Sequence, residues 1–205
     1  MSGPNIIIYD IEILRGIERK EKQIPDIEYC NGWDDHANMG ITVVGAYDYL
    51  EDRYRVFLDD NKDDLPKLVA DRNPLLVGFN NIRFDNAVLR VTRDWGDWND
   101  ARSYDLLQEI WAAAGFGPEF DATTHAGFGL DRMCEVNFGT RKTGYGGTAP
   151  VDWQQGRRGK VIDYCLNDIR LTKQLFNRVL DGAPIKHPKE RADLMLKIPP
   201  FEWPE

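Results

Sequence analysis

The stretch Asn5-Ile6-Ile7-Ile8-Tyr9-Asp10-Ile11-Glu12 (NIIIYDIE) decides how this chain folds. Its first five residues are nearly all apolar and rich in β-branching, the pattern of a central strand buried on both faces. Asp10 and Glu12 follow directly. Side chains two apart on an extended segment point to the same face. Two carboxylates thus face one way where a central strand leaves the core. So close together they repel, and one would take up a proton unless a cation is shared. A hard divalent ion with oxygen ligands answers that need. Alone, D-x-E is also what an acidic pair at a solvated strand end looks like.

Working outward, residues 41–49 (ITVVGAYDY) and 53–58 (RYRVFL) read as a β-hairpin closed by a tight connection at Leu50-Glu51-Asp52. Residues 63–71 read as a short helix with Asp63, Asp64 and Pro66 in its opening turn. Residues 75–79 (LLVGF) are a second buried strand. Helical patterns follow over 84–91, 105–114 and 130–137, and a glycine-rich loop lies at 144–147. Residues 160–180 carry the strongest helix. Ile162, Cys165, Ile169, Thr172 and Phe176 recur at three- and four-residue steps, and Gly182 and Pro184 stop it. A last short helix is expected over 188–197, and the proline-aromatic end, 198–205, is expected to be irregular. The pattern predicts an α/β fold, a mixed sheet with helices packed on it. Residues 1–182 read as one domain and 183–205 as a short helix and tail.

Composition bounds the function. The chain has 205 residues, 26 Lys plus Arg and 34 Asp plus Glu, for a net charge of −8. That argues against a generic nucleic-acid coat with a basic face, but not against an enzyme that gathers carboxylates around metal. No stretch approaches the ~18 consecutive apolar residues of a membrane helix. The N-terminus lacks the basic segment and apolar core of a signal peptide, so the chain reads as cytoplasmic. Cys30, Cys134 and Cys165 form no C-x-x-C pair and no zinc spacing with His36, His125 or His187, and read as reduced thiols.

Two further acidic motifs stand beside the first. In Gly78-Phe79-Asn80-Asn81-Ile82-Arg83-Phe84-Asp85 a buried strand ends, two asparagines turn the chain, and Asp85 sits in the first turn of a helix. Such an aspartate can simply favour the helix start. Ligands in α/β sheets, however, bind beyond the carboxyl ends of strands, where Asp10, Glu12 and Asp85 would meet. In Tyr164-Cys165-Leu166-Asn167-Asp168, Tyr164 and Asp168 are four apart and share one face of the long helix, beside its buried stripe.

In order, spacing and placement the three motifs resemble those of the DEDD superfamily of 3′–5′ exonucleases. D-x-E matches Asp10 and Glu12. G-[FY]-N-x-x-x-F-D, as in the exonuclease domains of family B DNA polymerases, matches Gly78 to Asp85. Y-x-x-x-D matches Tyr164 and Asp168 and marks the tyrosine branch (DEDDy). The histidine branch has His five residues before the last Asp, and that place is Asp163 here. Ser103-Tyr104-Asp105-Leu106 looks like the start of the helix after the second motif. Leu130 to Lys142 resembles the helix leading to a G-x-x-K loop (Gly139 to Lys142). The resemblance covers residues 5 to about 180 and implies a ribonuclease H-like mixed β-sheet with helices packed on both faces.

The resemblance further implies hydrolysis of single-stranded DNA from its 3′ end by two Mg²⁺ or Mn²⁺ ions. In such sites the ions clamp the attacking and leaving oxygens. Asp10 would bridge both ions, Glu12 and Asp168 would hold one, and Asp85 would serve the other. Tyr164 would orient the attacking water, since a phenol with a pKa near ~10 is a poor base at neutral pH. Candidate substrate-binding residues are Asn80, Phe84, Lys142 and Trp33. Lys142 would hold a phosphate, and Trp33 is the better base-stacking residue, because Phe79 and Phe84 also suit core packing. Arg83, Arg141, Arg157, Arg158 and Lys160 read as solvated charge. Asp34-Asp35-His36 reads as an acidic loop. The expected partner is single-stranded nucleic acid, DNA ahead of RNA, with no membrane and with separate replication or repair proteins. The alternatives are a 3′–5′ exoribonuclease with the same site, or a non-catalytic nucleic-acid-binding or scaffold module that keeps the fold.

Overall fold

The computed structural model of the chain describes residues 3–17, 23–92, 95, 98, 102–141, 144, 146–198, 200 and 201. Five strands form one mixed sheet in the order β5-β4-β1-β6-β7. At its centre lies β1 (Ile6–Ile13). On one side β1 runs antiparallel to β4 (Ile41–Asp48), which pairs antiparallel with β5 (Arg53–Phe57). On the other side it runs parallel to β6 (Leu75–Gly78), and β6 runs parallel to β7 (Ser103–Asp105).

The alternation of side chains along β1 divides the core into two layers. Ile6 and Ile8, with Val43 and Val77, pack against α4 (Leu106–Ala113), α5 (Leu130–Phe138) and α7 (Arg158–Leu180). Ile7, Tyr9 and Ile11, with Val44, Ala46 and Leu76, pack against α1 (His36–Met39), α2 (Asp64–Arg72) and α3 (Asp85–Thr92). Helices therefore cover both faces, which is why β1 reads as a run of isoleucines and not as an apolar–polar alternation. The described residues also include smaller pieces: a parallel pair β2 (Gly16–Ile17) and β3 (Tyr29–Cys30), the helix α6 (Ala149–Gln154), and an antiparallel ribbon of β8 (Ile185–Lys186) and β9 (Asp193–Leu194).

Three expectations change. β1 continues through Ile13, so Asp10 and Glu12 lie within the strand and not after it. β7 is too short for a periodic signal and is held by pairing with β6. The helix expected over 188–197 is replaced by the β8–β9 ribbon. There the His187 ring nitrogen Nδ1 accepts the N–H groups of Lys189 and Glu190, and Arg191 takes a left-handed backbone, φ 61°. Among the described residues no helix is long and apolar enough to cross a membrane.

Candidate active site

The site is built where β6 leaves the sheet. β1 is paired with β6 only from Ile6 to Ile8, so beyond that point this edge of β1 is open. The backbone N–H of Ile11, between the two acids, points to that edge and donates to Asp85 Oδ1 at 3.1 Å. Asp85, in the first turn of α3, is thereby fixed beside Asp10 and Glu12.

The turn that delivers Asp85 is itself clamped. Asn80 has φ 71°, a left-handed conformation that asparagine tolerates better than most side chains. Asp105, at the end of β7, accepts the backbone N–H groups of Asn80 (2.9 Å) and Ile82 (3.2 Å) while capping α4 through Leu107 (3.0 Å). Burial raises the Asp105 carboxyl above its ordinary value, and these amide donors pull the other way. Asn81 is buried. Its Nδ2 donates to the Tyr9 hydroxyl at 3.2 Å, and that hydroxyl donates to Asn86. Any side chain at Gly78 would meet Asn81, with a Cβ 2.5 Å from the Asn81 Cβ, so the glycine of this motif makes room for its own asparagine.

The third motif reaches the sheet through another close approach. Gly45 on β4 is paired with Asp10. A Cβ at Gly45 would lie 2.5 Å from Ile169 Cδ1 and 2.8 Å from Cys165 Sγ. The missing side chain lets α7 sit down onto β1 and β4. Cys165 Sγ then lies 3.6 Å from the Asp10 carbonyl oxygen and 3.8 Å from Asp10 Oδ2. Ligand atoms of Asp10, Glu12 and Cys165 all lie within 4.8 Å of one another. Burial, then the charges of Asp10, Glu12 and, more weakly, Asp168, push the Cys165 thiol well above its ordinary value. The other two donors of the group are carboxylate oxygens. That is a donor set for a hard divalent cation such as Mg²⁺ or Mn²⁺.

One cavity of about 500 Å³ is lined by Asp10, Glu12, Asp85, Tyr164 and Asp168 together. Glu12, Asp85 and Asp168 are buried, while Asp10 and Tyr164 are partly exposed. Asp85 and Asp168 line the cavity outside the tight Asp10–Glu12–Cys165 group. Gly144 and Gly146 lie close to Tyr164: a Cβ on Gly146 would come 3.1 Å from its hydroxyl, and one on Gly144 3.2 Å from its ring.

Asn80, Phe84 and Trp33 also line this cavity. Trp33 is 63% exposed and meets Phe84 edge to face at 5.9 Å between ring centroids. The same three residues border a second cavity of about 500 Å³, walled further by Arg83, Trp111, Phe120 and His125. The fourth expected substrate-binding residue, Lys142, lies outside the described residues. Arg141 pairs with Glu135 and does not line either cavity.

Sequence reasoning missed several contributors. Gly45 was visible as a glycine inside an apolar strand, a known sign of close backbone approach. Cys165 stands inside the third motif, but only the fold turns it toward Asp10. Asp152, with Arg157 and Lys160, lines the cavity as well and left no sequence signal.

No protein-family model matches the chain, and no curated protein matches it in sequence. Solved structures do. The family B DNA polymerase from the hyperthermophilic archaeon Pyrobaculum calidifontis matches with a TM-score of 0.56 at 19% identity, over 85% of this chain and 24% of the polymerase. Trypanosoma brucei RNase D matches with a TM-score of 0.50 at 15% identity, over 85% of this chain and 57% of that protein. The chain thus spans about a quarter of the polymerase and somewhat over half of the RNase D. With its mixed five-stranded sheet and helices on both faces, the chain has a ribonuclease H-like fold, which it shares with these two structures.

Proposed function

We propose that this protein is a metal-dependent 3′–5′ exonuclease of the tyrosine branch that hydrolyses single-stranded DNA. The observation that carries the reading is the meeting of three separate motifs, Asp10 with Glu12, Asp85, and Tyr164 with Asp168, in the lining of one cavity. The carboxylates of Asp10, Glu12, Asp85 and Asp168 would hold two Mg²⁺ or Mn²⁺ ions. When bound, such ions supply an activated water and neutralise charge on the phosphodiester.

The remaining work falls to the chain's own groups. Tyr164 would hold the attacking water through its hydroxyl, in a place fixed by the close-lying Gly144 and Gly146. Asp85 would be kept at its station by the Ile11 amide. Trp33 and Phe84 stand at the wall between the two cavities, where they would stack on bases as the strand passes. Lys142 would hold a phosphate.

The test is incubation of 5′-labelled DNA and RNA strands, beside a circular single strand, with Mg²⁺ or Mn²⁺. The proposal expects the linear DNA to shorten in single-nucleotide steps from its 3′ end and the circle to survive. Preferential shortening of RNA would reassign the substrate. Equal cutting of the circle would mean endonuclease action, and no cutting of any strand would favour a binding or scaffold module.

A further inference from the structure

The cavity that gathers the carboxylates also has a positive rim. Asp152 on α6 is buried, its side chain 6% exposed, and cations take both of its oxygens. Arg157 holds Oδ1 through Nε at 2.7 Å, and Lys160 Nζ lies 2.7 Å from Oδ2. Burial pushes the Asp152 carboxyl up, but the Lys160 and Arg157 interactions outweigh it and hold the group below the ordinary carboxylate range. All three residues line the cavity. Arg158, between the two cations in sequence, does not. Its guanidinium lies over the Trp153 ring, 5.2 Å from the centroid.

Two features mark this group as more than a tether between α6 and α7. One carboxylate between two cations leaves a net charge of +1, and the side chains of Arg157 and Lys160 are 48% and 63% exposed, so each keeps donor protons for another acceptor. The group also stands where α7 itself would prefer acids. Cations at a helix N-terminus oppose the macrodipole, yet the first turn of α7 holds no acidic residue and begins Arg158-Gly159-Lys160. Register adds a direction. Lys160, Tyr164 and Asp168 follow one another at four-residue steps, a rise of about 6 Å each along the helix. The cation is therefore displaced one turn along the same face from the tyrosine, about the step from one phosphate to the next in an extended strand.

We propose that Arg157 and Lys160, held by Asp152, grip the backbone phosphate adjacent to the scissile one. This rests on the exonuclease reading and assigns that site a phosphate-binding rim. The rim supplies attraction for a polyanion beside four carboxylates that would repel it. Asp152 is a positioning residue: it touches no substrate and acts through the two cations.

The experiment is fluorescence anisotropy of a short 5′-fluorescein-labelled single DNA strand, with Ca²⁺ as the divalent ion, between about 50 and 200 mM salt. Removing one cation that neutralises a phosphate should flatten the slope of log K against log salt by about 0.7. Because the two cations share one phosphate, Arg157→Gln with Lys160→Gln should flatten it by about 0.7 in all, and Lys160→Gln alone, at an exposed position, by a fraction of that. Arg158→Gln carries the same charge change two residues from Lys160 and should leave the slope as it is. Melting curves check that each variant is folded. A wild-type slope in both Lys160 variants, equal flattening in Arg158→Gln, or no binding by the wild type would overturn the rim. Failure of the exonuclease reading looks different: the wild type would bind with the predicted slope, lose it in the variants, and leave the strand uncut in Mg²⁺ or Mn²⁺.

Discussion

The paired strands β1 and β4 carry Asp48 at one end and Asp10 with Glu12 toward the other, and the two ends use their acids oppositely. Asp48, paired with Ile7, is fully buried and meets Arg72 at 2.8 Å and Arg55 at 3.5 Å; Arg72 also contacts Asn5. One carboxylate is matched by two guanidiniums. At the other end Asp10, paired with Gly45, stands with Glu12, Asp85 and Asp168 in the lining of one cavity. Four carboxylates share one space. The first arrangement holds the structure together when ionised. The second concentrates like charge, which destabilises unless a cation is shared. An aspartate's role is thus set by what the fold brings beside it.

The contrast is tested first by exchanging roles. Asp10→Asn or Asp85→Asn should abolish detectable turnover of a labelled strand while the melting temperature stays level or rises, because a repelling charge is removed. Normal turnover in either variant would make these positions structural. Tyr164→Phe keeps the ring and removes one hydroxyl. Losing a positioning or transition-state interaction of this kind costs roughly 2.7–4 kcal/mol, or 10²–10³ in rate. Single-turnover rates should show that loss with strand affinity unchanged, and Asp168→Ala should be worse.

At the other end, Asp48→Asn should leave the rate per folded molecule alone and lower stability by about 3 kcal/mol, the low end for breaking a buried pair, since Arg72 keeps some exposure to water. Denaturant melts of wild type and variant give the number. Gly45→Ala joins the two ends. Its new Cβ must displace Cys165 and Ile169, a repacking that costs typically 1–3 kcal/mol. It should also lift α7 and slow turnover, which Asp48→Asn should not do.

The smallest effect is in pH. Burial would raise the Asp48 carboxyl, but the hydrogen bond and charge of Arg72, with the Glu51 amide and Arg55, hold it below the ordinary range. A folded value below the unfolded one means stabilisation that is present above about pH 4 and is lost as pH falls through the folded value. The stability gap between wild type and Asp48→Asn should therefore narrow below about pH 4. A gap independent of pH would show that the pair contributes through packing.

The sequence revealed most of the carboxylate end and little of what holds it. Ile6 to Tyr9 announced a buried central strand because both faces are covered, and Asp10, Glu12, Asp85 and Asp168 stood in spaced motifs. The clamp of Asp105 on Asn80 and Ile82, and that of Ile11 on Asp85, join residues 23 to 74 positions apart and show no local pattern. Arg157 and Lys160 looked like solvated charge because Asp152 has no sequence signature. The ribbon at 185–194 looked helical because its turn is fixed by the His187 ring, not by periodicity.

The carboxylate end is proposed as a divalent-metal site for cutting nucleic acid. Its most direct test is the shortening of a 5′-labelled single DNA strand by wild type and Asp10→Asn, purified identically, with Mn²⁺ or Mg²⁺ and then in excess chelator. The wild type should lose 3′ nucleotides stepwise with metal and none in chelator, and Asp10→Asn should lose none in either condition. Full activity in chelator, or equal activity in both proteins, would contradict it.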